Sequence, residues 1–207
     1  AQKVEDAGAD AIELNMFILP TNLSQTSKDN ENLYFDIVSR VASKVKIPIS
    51  LKISPYFSTL GSMIRDLSFS EIKGLVLFNK LYSPDVDVES EKIIRTDVLS
   101  NRGDYKLSLR WIGMMANRVN CDLSASNGIH DWQTALKMML VGANTVQIVT
   151  AMYREGVKVI GAMNENIGLW MSEHNYRSIK DFRGKLSLEN STNLAEYERV
   201  QFMRHFG

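Results

Sequence analysis

Cysteine is nearly missing from this chain. Its 207 residues hold one, Cys121, which excludes an internal disulfide framework and any multi-cysteine zinc site, and suits a reducing cytosol. Histidine is also scarce, and His130, His174 and His205 show no metal-ligand spacing, so no metal centre is expected. Lys and Arg number 24 against 24 Asp and Glu, and a chain with no net charge has no field to draw nucleic acid or an acidic membrane. No apolar run is long enough to span a bilayer, and the start of the chain lacks a signal-peptide layout. A soluble, cytoplasmic protein acting on a small molecule is the expectation.

A hydrophobic share of 44% is enough for one substantial core. The chain opens in what reads as the last turns of a helix stopped by Gly8, without an initiator methionine. Alternation follows. Strand AIELN covers 11–15, and residues 31–45 carry Leu33, Ile37, Val41 and Val45 at helical spacing. Strand PISLKI ends near Ile53, a helical stretch spans about 62–73, and strand GLVLFN covers 74–79. Residues 80–104 read as irregular. Leu109, Ile112, Met115 and Ala116 mark one face of a helix over about 107–119. Cys121, at the next strand's start, reads as a small buried hydrophobe, and Met114, Met115, Met138 and Met139 as core filling.

The segment CDLSASNGIHDWQTALKMMLVGANTVQIVTAMYREG, 121–156, carries most information. Its first strand ends at Asn127-Gly128, a helix follows over about 131–140, and a second strand, NTVQIV, ends at Thr150-Ala151. In a parallel α/β barrel, the turns after the last two strands form a phosphate cradle from backbone N–H groups. A glycine such as Gly128 lets backbone approach an anion and adopts positive φ. By itself Asn-Gly predicts only a turn, and His130 beside it suits local capping or packing.

Five strands separated by helices mean a parallel sheet. By count, a flavodoxin-like open sheet fits as well as a barrel. Two observations favour the barrel: polar, chemistry-capable residues end every strand (Asn15, Lys52, Asn79, Asn127, Thr150), and a chain opening in mid-helix invites the reading that earlier strands are missing. No glycine-rich dinucleotide fingerprint follows the first strand.

ADAIELN, PISLKISPYF, LFN, SNGIHDWQTALKMMLVGANTVQIVTAMYREG and YRSIKDFRGKL together resemble the class 1 dihydroorotate dehydrogenases and the related flavin domain of dihydropyrimidine dehydrogenase. The resemblance implies a (β/α)8 TIM barrel of the FMN-linked oxidoreductase type. Residues 1–188 would supply its C-terminal portion, strands four to eight, and 189–207 a helical tail. FMN is the implied cofactor, with oxidation of a dihydropyrimidine, dihydroorotate to orotate in pyrimidine biosynthesis, as the implied reaction. A homodimer or an electron-transfer partner subunit is compatible with the family.

Carried over residue by residue, the resemblance makes Asn15 a ligand of both flavin and substrate, sets Lys52 by the pyrimidine edge of the isoalloxazine, and gives Asn79 to the substrate. An ammonium at that edge would stabilise the negative charge that hydride arrival leaves there. Asn127, Gly128, Thr150 and Ala151 would hold the FMN phosphate. The chain departs from the family at its base: Ile18 stands where the class 1 cysteine would be, and isoleucine takes no proton. Thr21 or Ser24 would substitute only if their loop folds back. Asn127 and Val149 replace a glycine in each phosphate turn, and in LSNRGDYKLSL only Gly103 remains of a glycine-rich stretch. Two alternatives stay open: a flavin-free barrel binding a phosphorylated metabolite, with Lys52 in acid-base or Schiff-base chemistry, and a catalytically inactive relative.

Overall fold

In the computed structural model, residues 1–95, 98–192 and 195–198 are described. Helix α1 (Gln2–Asp6) ends at Gly8, and β1 (Ile12–Asn15) follows. Helix α2 (Ser27–Ala42) starts four residues earlier than its apolar spacing suggests, because Thr26 and Asp29 form a reciprocal capping box. Its buried stripe is Tyr34 and Val38, one residue round from the expected face, and Leu33 is exposed. Then come β2 (Ile49–Ile53), α3 (Leu60–Ser68) and β3 (Gly74–Leu77). The segment read as irregular contains an antiparallel hairpin, β4 (Pro84–Asp87) and β5 (Lys92–Arg95), both almost wholly exposed. Helix α4 (Tyr105–Met115), β6 (Asp122–Ala125) and α5 (Trp132–Val141) lead to β7, which is only Thr145–Val146.

Thr150 and Ala151 therefore do not end a strand. They open helix α6 (Thr150–Glu155), and a 16-residue helix α7 (Lys158–Glu173) follows Gly156. A 3-10 turn (Ile179–Asp181) closes this part, and α8 (Ala195–Glu198) is what is described of the expected tail helix. Of the rest of that tail, residues 189–192 are turn, irregular chain and bend rather than helix, and 193–194 and 199–207 with His205 lie outside the described residues, as do Thr96 and Asp97.

All five main strands are parallel and stand in chain order, β1-β2-β3-β6-β7, with no reversal of direction along the sheet. A doubly wound sheet has a switch point where that order reverses, so the flavodoxin-like alternative is not what the chain builds. The sheet is also sharply curled. Five flat strands would hold the outer two roughly 19 Å apart at ordinary strand spacing. Here Gln147, just past β7, donates from Nε2 to Glu13 Oε2 of β1 over 2.6 Å.

Strand alternation divides the sheet by chemistry. Leu14, Leu51, Leu75 and Leu123 lie in one register row, and Ile53, Leu77 and Ala125 in another. They pack in the main core with Val38, Ile64, Leu67, Ile112, Met138 and Phe182 from the surrounding elements. Full burial of each large aliphatic contributes about 1.5–3 kcal/mol. The row Asn15, Lys52, Val76, Ser124, Thr145 points the other way, into the hollow of the curl. Cys121 packs against the apolar core, and burial first, then Asp122, pushes its thiol up to about 12, which fits a packing role. No helix among the described residues is long and apolar enough to cross a membrane.

Candidate active site

The C-terminal strand ends converge on one cleft. A cavity of about 430 Å³ is lined by Lys52 of β2, Lys80 after β3, Ser126 to Ile129 after β6, and Gln147, Val149, Thr150 and Tyr153 beyond β7. Val98, Leu99 and Ser100, from the excursion after β3, cover part of it. A second hollow of about 190 Å³ shares Lys80, Ser126 and Asn127 and adds Phe78 and Asn79. The larger is of the size that takes small-molecule ligands.

Of the polar residues that close the first three strands, Lys52 lines the larger cavity and Asn79 the smaller, while Asn15 lines neither and bonds Asn79. Asn79, 7% exposed, donates from Nδ2 to Asn15 Oδ1 over 2.5 Å, while its own Oδ1 is buried without a partner. An unpaired buried acceptor costs about 1–3 kcal/mol, and Asn79 itself lines the smaller hollow. Lys52 donates from Nζ to Gln147 Oε1 over 2.8 Å. Burial lowers its pKa, and the Glu13 carboxylate opposes that fall. Lys80 pairs with Asp104 at 3.0 Å. Burial works to raise the Asp104 pKa, but the Asn101 N–H and Lys80 outweigh it and hold that carboxyl below the usual range, so Asp104 is a weak proton acceptor.

The two turns expected to cradle a phosphate do meet in the larger cavity, by contacts the sequence did not disclose. Asn127 has φ 75° and Gly128 φ 66°. The Asn127 amide donates to the carbonyls of Phe78 and Asn79, at 3.1 and 2.9 Å, and so ties its own turn to the one after β3. A Cβ on Gly128 would stand 2.4 Å from Tyr105 N and 3.0 Å from Asn101 O; the glycine admits the start of α4 as well as any anion. Thr150 Oγ1 accepts from Ser100 N at 3.0 Å and bonds Ser100 Oγ at 2.9 Å. Ala151 turns its methyl into a small core with Val159 and Met163, leaving only its backbone for a ligand.

Two contributors were missed. Ser100 Oγ lies 2.8 Å from His130 Nε2, all three of Ser100, His130 and Thr150 being buried. His130 is thus a latch between the phosphate-side turn and the covering segment, more than a local cap. Burial first, then Arg154 and Arg102, lowers its pKa and favours the neutral ring. In the sequence Gln147 reads only as part of a strand. A polar residue between apolar neighbours in NTVQIV was the signal available in the sequence.

Thr21 and Ser24 are not brought into this cleft. Both are exposed on the loop between β1 and α2, and Ser24 directs its hydroxyl to Asn22 Oδ1 at 2.7 Å. Ile18, in the same loop, packs against the core.

The sequence profile of the family described as Dihydroorotate dehydrogenase matches residues 1–171. The catalytic subunit of dihydroorotate dehydrogenase B (NAD(+)) of Pyrococcus furiosus is 28% identical over 189 residues, 89% of this chain and 62% of that protein. Its counterpart in Sulfolobus acidocaldarius is 29% identical over 176 residues, 84% of this chain and 59% of that one. The crystal structure of DHODH from Eimeria tenella in complex with ferulenol superposes with a TM-score of 0.64 at 19% identity, over 88% of this chain and 56% of that one. The chain thus spans about six-tenths of the length of these curated relatives.

Proposed function

The chain belongs to the dihydroorotate dehydrogenase family, and from that premise we propose that it forms part of a TIM-barrel flavoprotein that oxidises a CH–CH bond of a dihydropyrimidine with FMN as cofactor. The observation that carries the reading is the set at the cleft head: a half-buried lysine, two facing asparagines, and a buried amide oxygen with no partner. A planar heterocycle with ring N–H groups and carbonyls supplies the donors and acceptors that this set lacks. The cavity's volume and its two turns at the far end suit a ligand with an aromatic head and an anionic tail.

When bound, FMN supplies a two-electron acceptor. Lys52 would supply positive charge to the group that gains electrons, where a preorganised cation is worth more than in water. Asn15 and Asn79 orient the substrate ring through their amides. Asn127, Gly128, Thr150 and Ala151 would hold the phosphate through backbone N–H groups, and the Thr150 hydroxyl, which accepts from Ser100, keeps its own proton to donate.

An alternative substrate, or lost turnover, is favoured by a specific observation: the family's cysteine position is Ile18, and neither Thr21 nor Ser24 lines the cleft. Proton removal from carbon would then fall to water or to a residue contributed from elsewhere. The visible spectrum of the purified protein, before and after anaerobic dihydroorotate, decides between the readings. An oxidised-flavin band that bleaches supports dihydroorotate oxidation. A band that persists selects the alternative, and no flavin band overturns the cofactor assignment.

A further inference from the structure

We propose that Gln147 is a positioning residue that fixes the Lys52 ammonium in the cleft and couples it to the Glu13 carboxylate on the opposite edge of the sheet. The inference rests on Lys52 being the cation of the cofactor site. Gln147 Oε1 accepts from Lys52 Nζ at 2.8 Å and Gln147 Nε2 donates to Glu13 Oε2 at 2.6 Å. A primary amide can accept from a cation and donate to an anion at once without carrying charge. The three residues come from β1, β2 and the segment after β7, so the relay joins the two outer strands of the sheet through side chains.

The relay answers a problem that burial creates. Lys52 is taken from water on the concave face, where desolvation favours the neutral amine, yet the proposed chemistry needs the charged form. Among the described residues Lys52 forms no ion pair; Gln147 links it to the Glu13 carboxylate. Other ionisable groups around the cleft do not take its place: Lys80, after β3, is paired with Asp104, and Tyr153, on α6, offers only a phenol. The flanking β6 row contributes the hydroxyls of Ser124 and Ser126, and β3 contributes Val76. With Gln147 in place, the ammonium is also held in one direction, toward the last strand's end.

The test is competitive acylation of Lys52 against pH, read by mass spectrometry on the protein as purified, since only the neutral amine reacts. In Gln147→Leu the midpoint of the Lys52 profile should move to lower pH, with the rate below the midpoint rising about tenfold for each unit of movement. Glu13→Gln should move it the same way by less, because Glu13 is exposed and screened. Gln147→Glu, nearly isosteric, should move it upward, and it retains the test if the leucine variant does not fold. Profiles of Gln147→Leu or Gln147→Glu that superimpose on the parent overturn the proposal. Failure of the flavin reading looks different: the Lys52 midpoints still move, but the parent carries no flavin band.

Discussion

Gly128→Ala should cost far more than a methyl group ordinarily does, and the structure divides the cost into two parts. The residue has φ 66°, and forcing an alanine into that left-handed region costs about 1–2 kcal/mol. The new Cβ would also meet Tyr105 N at 2.4 Å, and Asn101 O and Asp104 C at 3.0 Å each. These are backbone atoms that cannot rotate away, so overpacking adds about 1–3 kcal/mol. The total is about 2–5 kcal/mol, or roughly 4–20 °C in melting temperature for a chain of this length. Two other glycines separate the terms. Gly8 has φ 92° with nothing within 4 Å of a built Cβ, so Gly8→Ala should show the backbone part alone, about 1–2 kcal/mol. Gly103 has neither the positive φ nor a neighbour within 4 Å, and its alanine variant should fall within about 0.5 kcal/mol of the parent. Urea denaturation of the three variants measures the series. If Gly128→Ala is no worse than Gly8→Ala, the packing of α4 against this turn has been misread. The displaced helix start would also move Ser100, so Gly128→Ala should lose bound flavin out of proportion to the other two.

Lys52→Ala should abolish substrate-driven bleaching while leaving the melting temperature near the parent's, because a desolvated ammonium is removed and no core contact is lost; bleaching at the parent rate would sink its assignment. Asn15→Ala takes away the acceptor of the buried Asn79 amide, costs about 1–3 kcal/mol of stability, and should weaken substrate saturation and flavin retention together. Equilibrium unfolding of the variant, with flavin released on dilution, checks both. For His130 the sign is set by its lowered pKa, below the ordinary 6.5. Its neutral form is favoured on folding, so its contribution is present above that ordinary value and lost as pH falls through the folded one. Melting curves should show the parent losing more stability on acidification than His130→Gln, and parallel losses would remove His130 from the latch.

Much of this architecture could be read from one sequence because it is local. The helix over Trp132–Val141 announces itself through Asp131, whose side chain accepts from Thr134 N, and through Gly142 at its end with φ 123°. Asn15, Lys52 and Asn79 stand out as polar groups closing apolar runs, and all three lie at the same end of the sheet. The errors have local causes too. The α2 boundary was missed because Asp29 serves in the box where Glu or Gln is the usual signal. The hairpin β4–β5 escaped because its strands are exposed on both faces and so show no alternation to detect. The sequence extends the last strand past its two residues because Thr150 fits a strand end as well as a helix start.

The β-α order, the neutral charge and the polar residues closing the first three strands are legible in the chain alone, since they depend on the period of a helix or strand and on side chains a few positions apart. Which of those residues act together is set by the tertiary packing. That Gln147 reaches Glu13 across the whole sheet, that Ser100 takes up the Thr150 hydroxyl 50 residues away, and that Tyr105 fills the space over Gly128 follow from how far the sheet curls and where the excursion after β3 comes to rest. Curl and docking are set by packing summed over the whole core, and no window of the chain contains that sum.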